Sequence, residues 1–462
     1  DEVTEITEKV ISTESEVVLR HELALPVMMR DVPRGEDTLS DVHRFWEQTG
    51  EFYMTGRGND NIVDPFIGLS VVPACTGVFR DMSQIRFDHP LWIPENCTAC
   101  GSCYTVCPDS AIPGLVHSFT EIFDTATKRA ELVHGATRHL RRALVAVENR
   151  LRSRLAVEGE SANVRTILSQ VLEDVVAVTT VTEDDRPRLE EEVTWFNEAL
   201  GGFQFSVTKP YFVQKEKEKA GCGGLLSITV NPYACKGCME CVKVCEDDAL
   251  RAIPQLPESL QKLRDDWDIW RSLPTTSQDY IRIDDLDEKI GALETLLLDK
   301  KAYFTMTGGD GACLGCGEKT VVHLFTATVE ALMQRRVKKH LARLEELMTH
   351  LEHHVRLKLA ATVDLSDPAA LQLAISGAKD TDLTLGRLAE SLDASHAQQP
   401  LDPDWLKWVT GLMADLKRLH WKYTTGTNHQ GRSNMGIINA TGCTSVWGST
   451  FPFNPYPFPW TN

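Results

Sequence analysis

Eight of the thirteen cysteines fall into two runs of identical spacing. Cys97, Cys100, Cys103 and Cys107 form one C-x2-C-x2-C-x3-C frame, followed by Pro108; Cys235, Cys238, Cys241 and Cys245 form the other. A cubane of iron and sulfide needs four soft thiolates. C-x2-C-x2-C wraps three corners from one tight loop, and the fourth cysteine of each run serves the other cluster. The spacing therefore assigns Cys97, Cys100, Cys103 and Cys245 to one [4Fe–4S] cluster, and Cys235, Cys238, Cys241 and Cys107 to a second. Disulfides or two zinc sites are the alternatives, and they would need two identical four-cysteine frames to arise by chance. In the second run Glu246, Asp247 and Asp248 follow Cys245 where the first has proline. Negative charge beside a cluster disfavours an added electron. If these carboxylates approach it, the cluster held by Cys235, Cys238 and Cys241 is expected to have the lower potential.

A third stretch, Gly308 to Thr320, joins a glycine-rich loop to Cys313-Leu-Gly-Cys316-Gly317-Glu318. Alone it reads as half a zinc site, a redox pair or half a cluster site. Its Gly309-Asp310-Gly311 resembles the opening of a thiamine diphosphate magnesium motif, but no Asn-Asn follows at the required distance and Cys313 comes too soon. Met435 to Gly448 reads as a buried strand ending in a small-residue turn, where α/β folds place ligands. Cys443 in that turn is the expected partner of Cys313 and Cys316. Cys75 and Cys222 lack ligand spacing and are expected to be a buried thiol and a structural residue. His350 and His354 have no third ligand in view, so solvated side chains are expected.

The elements that must position these residues read as several domains. The chain has 462 residues, and its 42% hydrophobic and 25% charged content is that of an ordinary globular protein. Its length allows two to four domains. No apolar run approaches the roughly 20 residues of a membrane span, and no signal peptide is recognisable. Asp1 suggests a start that is processed or cut from something longer. A net charge of −18 argues against nonspecific nucleic-acid binding. Cysteines placed in metal frames point to a reducing cytoplasm. Residues 1–90, punctuated by Pro26, Pro33, Gly35, Gly56, Gly58, Pro65 and Pro73, are expected to be irregular and to wrap other domains. A cysteine-rich domain over 91–255 is split by a helical insertion at 117–200. There an apolar stripe runs from Phe119 to Leu155 at helical period, Val164–Val176 forms another helix, and Arg138, Arg141, Arg142, Arg150 and Arg152 form a solvated face. Residues 203–230 return to β character. A connector at 256–302 is helical at Leu260–Trp270 and Leu286–Leu298. Over 303–462 lies a further domain interrupted by helices at 327–422. A stripe from about Thr320 spans some 34 residues and predicts a hairpin or bundle, with partners at Leu371–Ile375, Leu383–Leu392 and Trp405–Trp421.

Three motifs in this order resemble the 2-oxoacid:ferredoxin oxidoreductase family, typified by pyruvate:ferredoxin oxidoreductase. They are the paired cysteine frames, Ala312-Cys313-Leu-Gly-Cys316-Gly317-Glu318, and Ala440-Thr441-Gly442-Cys443-Thr-Ser-Val-Trp447-Gly448. The resemblance covers roughly 91–115, 225–255, 303–325 and 435–462. It implies an α+β and α/β multidomain chain: a two-cluster ferredoxin-like domain with a helical insertion, then the first part of an α/β thiamine-diphosphate-binding domain interrupted by a helical hairpin or bundle. It further implies that Cys313, Cys316 and Cys443 hold a third [4Fe–4S] cluster whose fourth cysteine lies beyond Asn462, and that Glu318 and Cys443 contact thiamine diphosphate. Mg2+, the coenzyme A domain and most of the substrate pocket lie outside the chain, which is then a portion of the enzyme. The implied reaction converts a 2-oxoacid and coenzyme A, by thiamine diphosphate chemistry, into acyl-CoA and carbon dioxide, with electrons leaving through three clusters to ferredoxin or flavodoxin. Pyruvate is the expected substrate, with 2-oxoglutarate and indolepyruvate as alternatives, and the expected assembly is a cytoplasmic homodimer. The two helical insertions depart from the family pattern and are expected to bury clusters or dock an acceptor. The rival reading is a ferredoxin-like electron-carrier subunit without its own catalysis.

Overall fold

The computed structural model describes residues 25–30, 32, 34, 39–61, 65–179, 182–282, 290–362, 403–426 and 431–461. The helices expected at 371–375 and 383–392, the first residues of the one expected from 286, and Pro33 and Gly35 lie outside these. The chain divides into two compact units, Asp1–Ala331 with Met435–Asn462, and Leu332–Asn434.

Two similar halves build the centre of the first unit. Strand β1 (Asp88–Trp92) enters the first cysteine run, a short helix α1 (Ser102–Val106) follows, and β2 (Gly114–His117) leaves it. The insertion lies between the halves in sequence, as helices α2 (Phe119–His134), α3 (Arg138–Glu158), α4 (Val164–Val178) and α5 (Arg186–Leu200). The second half then repeats the order with β3 (Leu225–Ile228), α6 (Glu240–Lys243) and β4 (Leu250–Pro254). Each sheet takes one strand from each half. β1 pairs antiparallel with β4, Leu91 opposite Arg251, and β2 pairs antiparallel with β3, Val116 opposite Leu226. β2 and β3 are buried throughout. The pairing thus returns the chain after the insertion to the point where it left. Tyr104, Val116, Leu226 and Leu250 share one apolar core with Cys103, Cys107, Cys235 and Cys241.

The stripe expected to run unbroken from Phe119 to Leu155 is two helices. α2 begins with a reciprocal cap between Ser118 and Glu121 and ends at Gly135, whose φ of 94° suits glycine and few other residues. α3 restarts after Thr137, and its first N–H groups are closed from a distance. The carboxylate of Glu192 on α5 accepts from the backbone of Arg138 (3.1 Å), His139 (2.9 Å) and Leu140 (2.8 Å). A buried acid therefore serves a helix N-terminus that its own sequence leaves uncapped. Leu140, Val147, Leu151, Leu168 and Phe196 fill the bundle. Arg152 departs from the solvated face expected of it. Its side chain is 12% exposed, pairs with Glu148 (2.9 Å) and Glu216, and lies 4.2 Å from the Phe119 ring centroid. The β character expected over 203–230 is confined to β3 and a single bridge at Ser206. Lys209–Val213 is a wide helical turn instead, with Pro210, which lacks a ladder donor, near its start.

The connector forms α7 (Pro257–Ser272) and the short Ala292–Leu296. A single helix α8 (Gly317–Thr362, 46 residues) replaces the one expected from Thr320 over 34. In the second unit its later turns run antiparallel to α9 (Pro403–Thr424). His340 meets Tyr423, Glu345 meets His420 at 3.0 Å, and His354 meets Trp405. His350 and His354 are exposed. Back in the first unit, the strand expected at 435–448 is the two-residue β5 (Ile437–Ile438), parallel to β6 (Trp460–Thr461), with helix α10 (Cys443–Gly448) between them. Among the described residues this is the whole of the parallel pairing, so no thiamine-diphosphate-type α/β sheet is evident. The molecule is mostly helical, with small two-stranded sheets. Before β1 the chain makes short turns around Met29, Val42, Trp46 and Phe79. Its Cys75 and Gly77 N–H groups donate to the carbonyls of Tyr456 (2.9 Å) and Asn454 (2.8 Å). No helix among the described residues is long and apolar enough to cross a membrane.

Candidate iron–sulfur centres

The two cysteine loops share an unusual backbone. In the first run Ala99, Gly101 and Ser110 have positive φ (70°, 79° and 49°); in the second Gly237, Met239 and Asp248 do (71°, 60° and 52°). These are the same three offsets from the leading cysteine, with glycine exchanging places between the first two. Left-handed non-glycine residues cost of order 1 kcal/mol each and persist where the surroundings over-determine them. Four such residues at equivalent positions mark two loops bent to one purpose.

That bend gathers the thiols across the halves. Cys97 and Cys103 interact electrostatically with Cys100 and with Cys245 from the other run, and Cys103 also faces Cys241. Cys241 interacts with Cys235, Cys238 and the crossing Cys107. Cys107, Cys235, Cys238 and Cys241 also line one small cavity with Pro90, Asp109 and Lys236. We call the Cys97, Cys100, Cys103 and Cys245 group the first site and the other four the second. Backbone N–H groups face the sulfurs. Ala111 donates to Cys107 Sγ at 3.2 Å, Ala99 to Cys97, Gly237 to Cys235 and Val242 to Cys241. The buried Trp92 indole N–H, with no other acceptor, lies against Cys97.

Burial, followed by neighbouring charge, pushes the thiols of Cys97 and Cys107 up to about 12 and raises Cys103 and Cys241 as well. Burial raises Cys235 to about 11 despite Arg86 nearby. Such thiols keep their protons unless a metal displaces them. Among the described residues, which include all thirteen cysteines, there is no disulfide, and no three His, Cys, Asp or Glu side chains converge closely enough for a single metal ion. The donors fit something wider than one ion: at the second site three buried sulfurs and the half-buried Cys238 line one cavity, with N–H groups aimed at the sulfurs of Cys107, Cys235 and Cys241, a set that suits a cubane.

The charges around the sites differ from expectation. Asp247 accepts from Thr98 Oγ1 (2.7 Å) inside the first run, and the Asp248 carbonyl accepts from Asn96 (3.4 Å). These acidic residues therefore follow Cys245 to the first site. Their observed partners lie at the first run, not in the loop of Cys235, Cys238 and Cys241 on which the expected lower potential depends. Beside the second site, Asp109 bonds Lys319 and sits 3.4 Å from Lys236, whose ammonium also donates to the Gly309 carbonyl (2.8 Å). Burial pulls the Lys319 ammonium down from its ordinary range, and Asp109 opposes that pull. The sequence reading passed over Asp109, Lys236 and Lys319. Their signal was position alone, each lying within three residues of a cysteine frame.

The third set is arranged differently. Cys313 and Cys443 are exposed and Cys316 is half-buried. Their segments do meet: Trp447 Nε1 donates to Glu318 Oε1 (3.3 Å), and Met306, Trp447 and Tyr456 form a small core with Ala312. These thiols stand in a more open setting than those of the paired frames, and Glu318 is exposed. Asp310 is engaged by Arg80 at 3.0 Å. Cys75 is half-buried in a left-handed turn, not fully buried as expected. Cys222 is half-buried, and its carbonyl accepts from Tyr280 (3.0 Å).

Residues 90–112 match the 4Fe-4S binding domain. The match holds the first cysteine run, from within β1 to Ile112. No curated protein matches the chain. An iron–sulfur domain of this kind is chemistry for electron transfer.

Proposed function

We propose that the chain holds two [4Fe–4S] clusters, one at Cys97, Cys100, Cys103 and Cys245 and one at Cys107, Cys235, Cys238 and Cys241, and serves as the electron-transfer portion of a 2-oxoacid:ferredoxin oxidoreductase. The observation that carries the cluster reading is the crossing of Cys107 and Cys245 between two loops with matching left-handed positions. Clusters bound there supply one-electron transfer. The chain's own contribution is to fix both sites in one apolar core, exclude water from the thiolates and stabilise their charge with N–H groups.

The enzyme reading rests on the packing of the Cys313–Glu318 loop against Cys443–Gly448 beside the second run, where Gly315 abuts Glu240. Cys313, Cys316 and Cys443 are then three ligands of a third cluster completed from outside these residues. Glu318 and Cys443 lie at the edge of a thiamine diphosphate site whose Mg2+ is held elsewhere. The acceptor is ferredoxin or flavodoxin, and the substrates are coenzyme A and a 2-oxoacid, pyruvate first among them. No decarboxylation step is assigned to residues of this chain, since the described residues form an edge and not a cofactor pocket. A second reading, an electron carrier without its own catalysis, is favoured by the limited parallel pairing around β5 and β6. One experiment separates them. The native complex is held without oxygen, and absorbance near 400 nm (roughly the thiolate-to-iron band of clusters) is followed as thiamine diphosphate, coenzyme A and each 2-oxoacid are added. Bleaching with one acid supports the oxidoreductase and names its substrate. No bleaching, in protein that dithionite reduces, supports the carrier.

A further inference from the structure

We propose that Asp109, Lys236 and Lys319 form a buried counter-charge that holds the second site at a higher reduction potential than the first. The inference rests on the two-cluster reading above. Each of the three side chains is at most 5% exposed. Two ammonium groups share one carboxylate, so the group carries an excess positive charge away from water, which is costly unless a further negative charge lies close. Asp109 and Lys236 line the cavity among the four cysteines of the second site. A third cation adds to them: Arg86, 5% exposed, donates from Nη1 to the Cys235 carbonyl at 2.7 Å. Glu240 also lines that cavity and is paired with Lys243 at 2.6 Å.

The first site has the opposite surroundings. Asp247 reaches into its loop, and Glu294 lies so close to Gly101 that a Cβ there would meet its side chain at 2.7 Å. Reduction adds one electron to a core and takes up no proton, so it deepens the negative charge of core and thiolates together. Fixed positive charge nearby therefore favours the reduced form, and fixed negative charge opposes it. An electron shared between the sites rests on the second, the one beside the Cys313–Glu318 loop. Lys319 lies in the first turn of α8 directly after that loop, Asp109 two residues past the first run and Lys236 inside the second, so one ion cluster ties together the three cysteine-bearing segments.

The test is an anaerobic redox titration, followed by electron paramagnetic resonance, of the full chain reconstituted with iron and sulfide. Two potentials are expected, with the higher one lost in Cys238→Ser and the lower one lost in Cys100→Ser. Lys319→Met should shift the higher potential down by about tenfold in the reduced-to-oxidised ratio, about 59 mV for one electron, and leave the lower one in place. Lys319→Arg should restore it, and Asp109→Asn should shift it upward. A merely structural role would not give opposite signs. Should Lys319→Met fail to hold clusters, Lys236→Gln carries the same expected downward shift. Loaded sites whose potentials do not respond, or a higher potential that disappears in Cys100→Ser, overturn the inference and leave the two-cluster reading standing. Wild-type protein that takes up no cluster overturns both.

Discussion

The two paired cysteine frames and the Cys313–Cys443 set contain the same kind of residue in very different settings. In the paired frames, strands from both halves close over the sulfurs, and four of the eight cysteines are buried. In the third set, two thiols face solvent and the segments meet through an indole–carboxylate contact, a hydrogen bond from Thr450 to the Asp310 carbonyl and a small apolar core. On the proposed reading, a complete metal site is closed by its own chain and an incomplete one is left as an edge. The difference teaches that cysteine spacing proposes ligands, whereas backbone closure around them decides whether a site is finished.

The largest effect that could break this comparison comes from the crossing cysteines. Cys245→Ser should cost about four of the eight iron atoms that two clusters require and abolish the first site's signal, although Cys245 belongs to the second run. Iron analysis with electron paramagnetic resonance checks this. Loss of the second site instead would mean the ligands do not cross.

Next in size is the helical insertion, whose stability should be separable from the clusters. Glu192→Ala removes three charge-assisted bonds to the start of α3 and should destabilise the fold by about 2 kcal/mol. Urea midpoints report the loss, with iron content unchanged. A shift near zero would show that the buried carboxylate does not cap α3.

A smaller effect concerns pH. Burial holds His117 and His323 near about 4, below the ordinary imidazole value of 6.5. His323 Nε2 faces the Tyr303 carbonyl (2.6 Å) and Ser110 Oγ (3.3 Å), joining α8 to the cysteine core. Because their folded values are depressed, the unfolded chain binds more protons between these limits. Their stability contribution is therefore full above pH of about 6.5 and is lost as pH falls toward about 4. Histidine-ring NMR should show both rings neutral at pH values near 5.5, where exposed histidines are protonated. Either ring titrating at an ordinary value would contradict the packing at this junction.

The smallest effect sharpens the third set. In the chain by itself, Cys313→Ser should leave iron content unchanged, since two of the three thiols face solvent. Loss of iron would show that the third site closes without outside help.

Much of this was legible in the sequence because ligand spacing is local. The two frames, the helical insertion between them, α4 and α7 follow from cysteine offsets, turn residues and apolar periods. What was hidden depends on contacts far apart in sequence. Period alone ran through Gly135, because a stripe continues across a break that only a left-handed residue reveals. Arg152 looked solvated because Glu216 and Phe119, which engage it, are remote in sequence. Asp247 gave no sign of its partner because Cys245 carries its flank across to Thr98 of the first run. The Asp109–Lys236–Lys319 group unites three separate segments, and no spacing rule connects them.

The most direct measurement of the central claim is anaerobic analysis of iron and acid-labile sulfide in the full chain, with resonance spectra after dithionite reduction. Two crossed cubanes predict about eight iron and eight sulfide per chain, with signals from two neighbouring four-iron clusters. Zinc without sulfide, or a single cluster that survives both Cys107→Ser and Cys245→Ser, would contradict it.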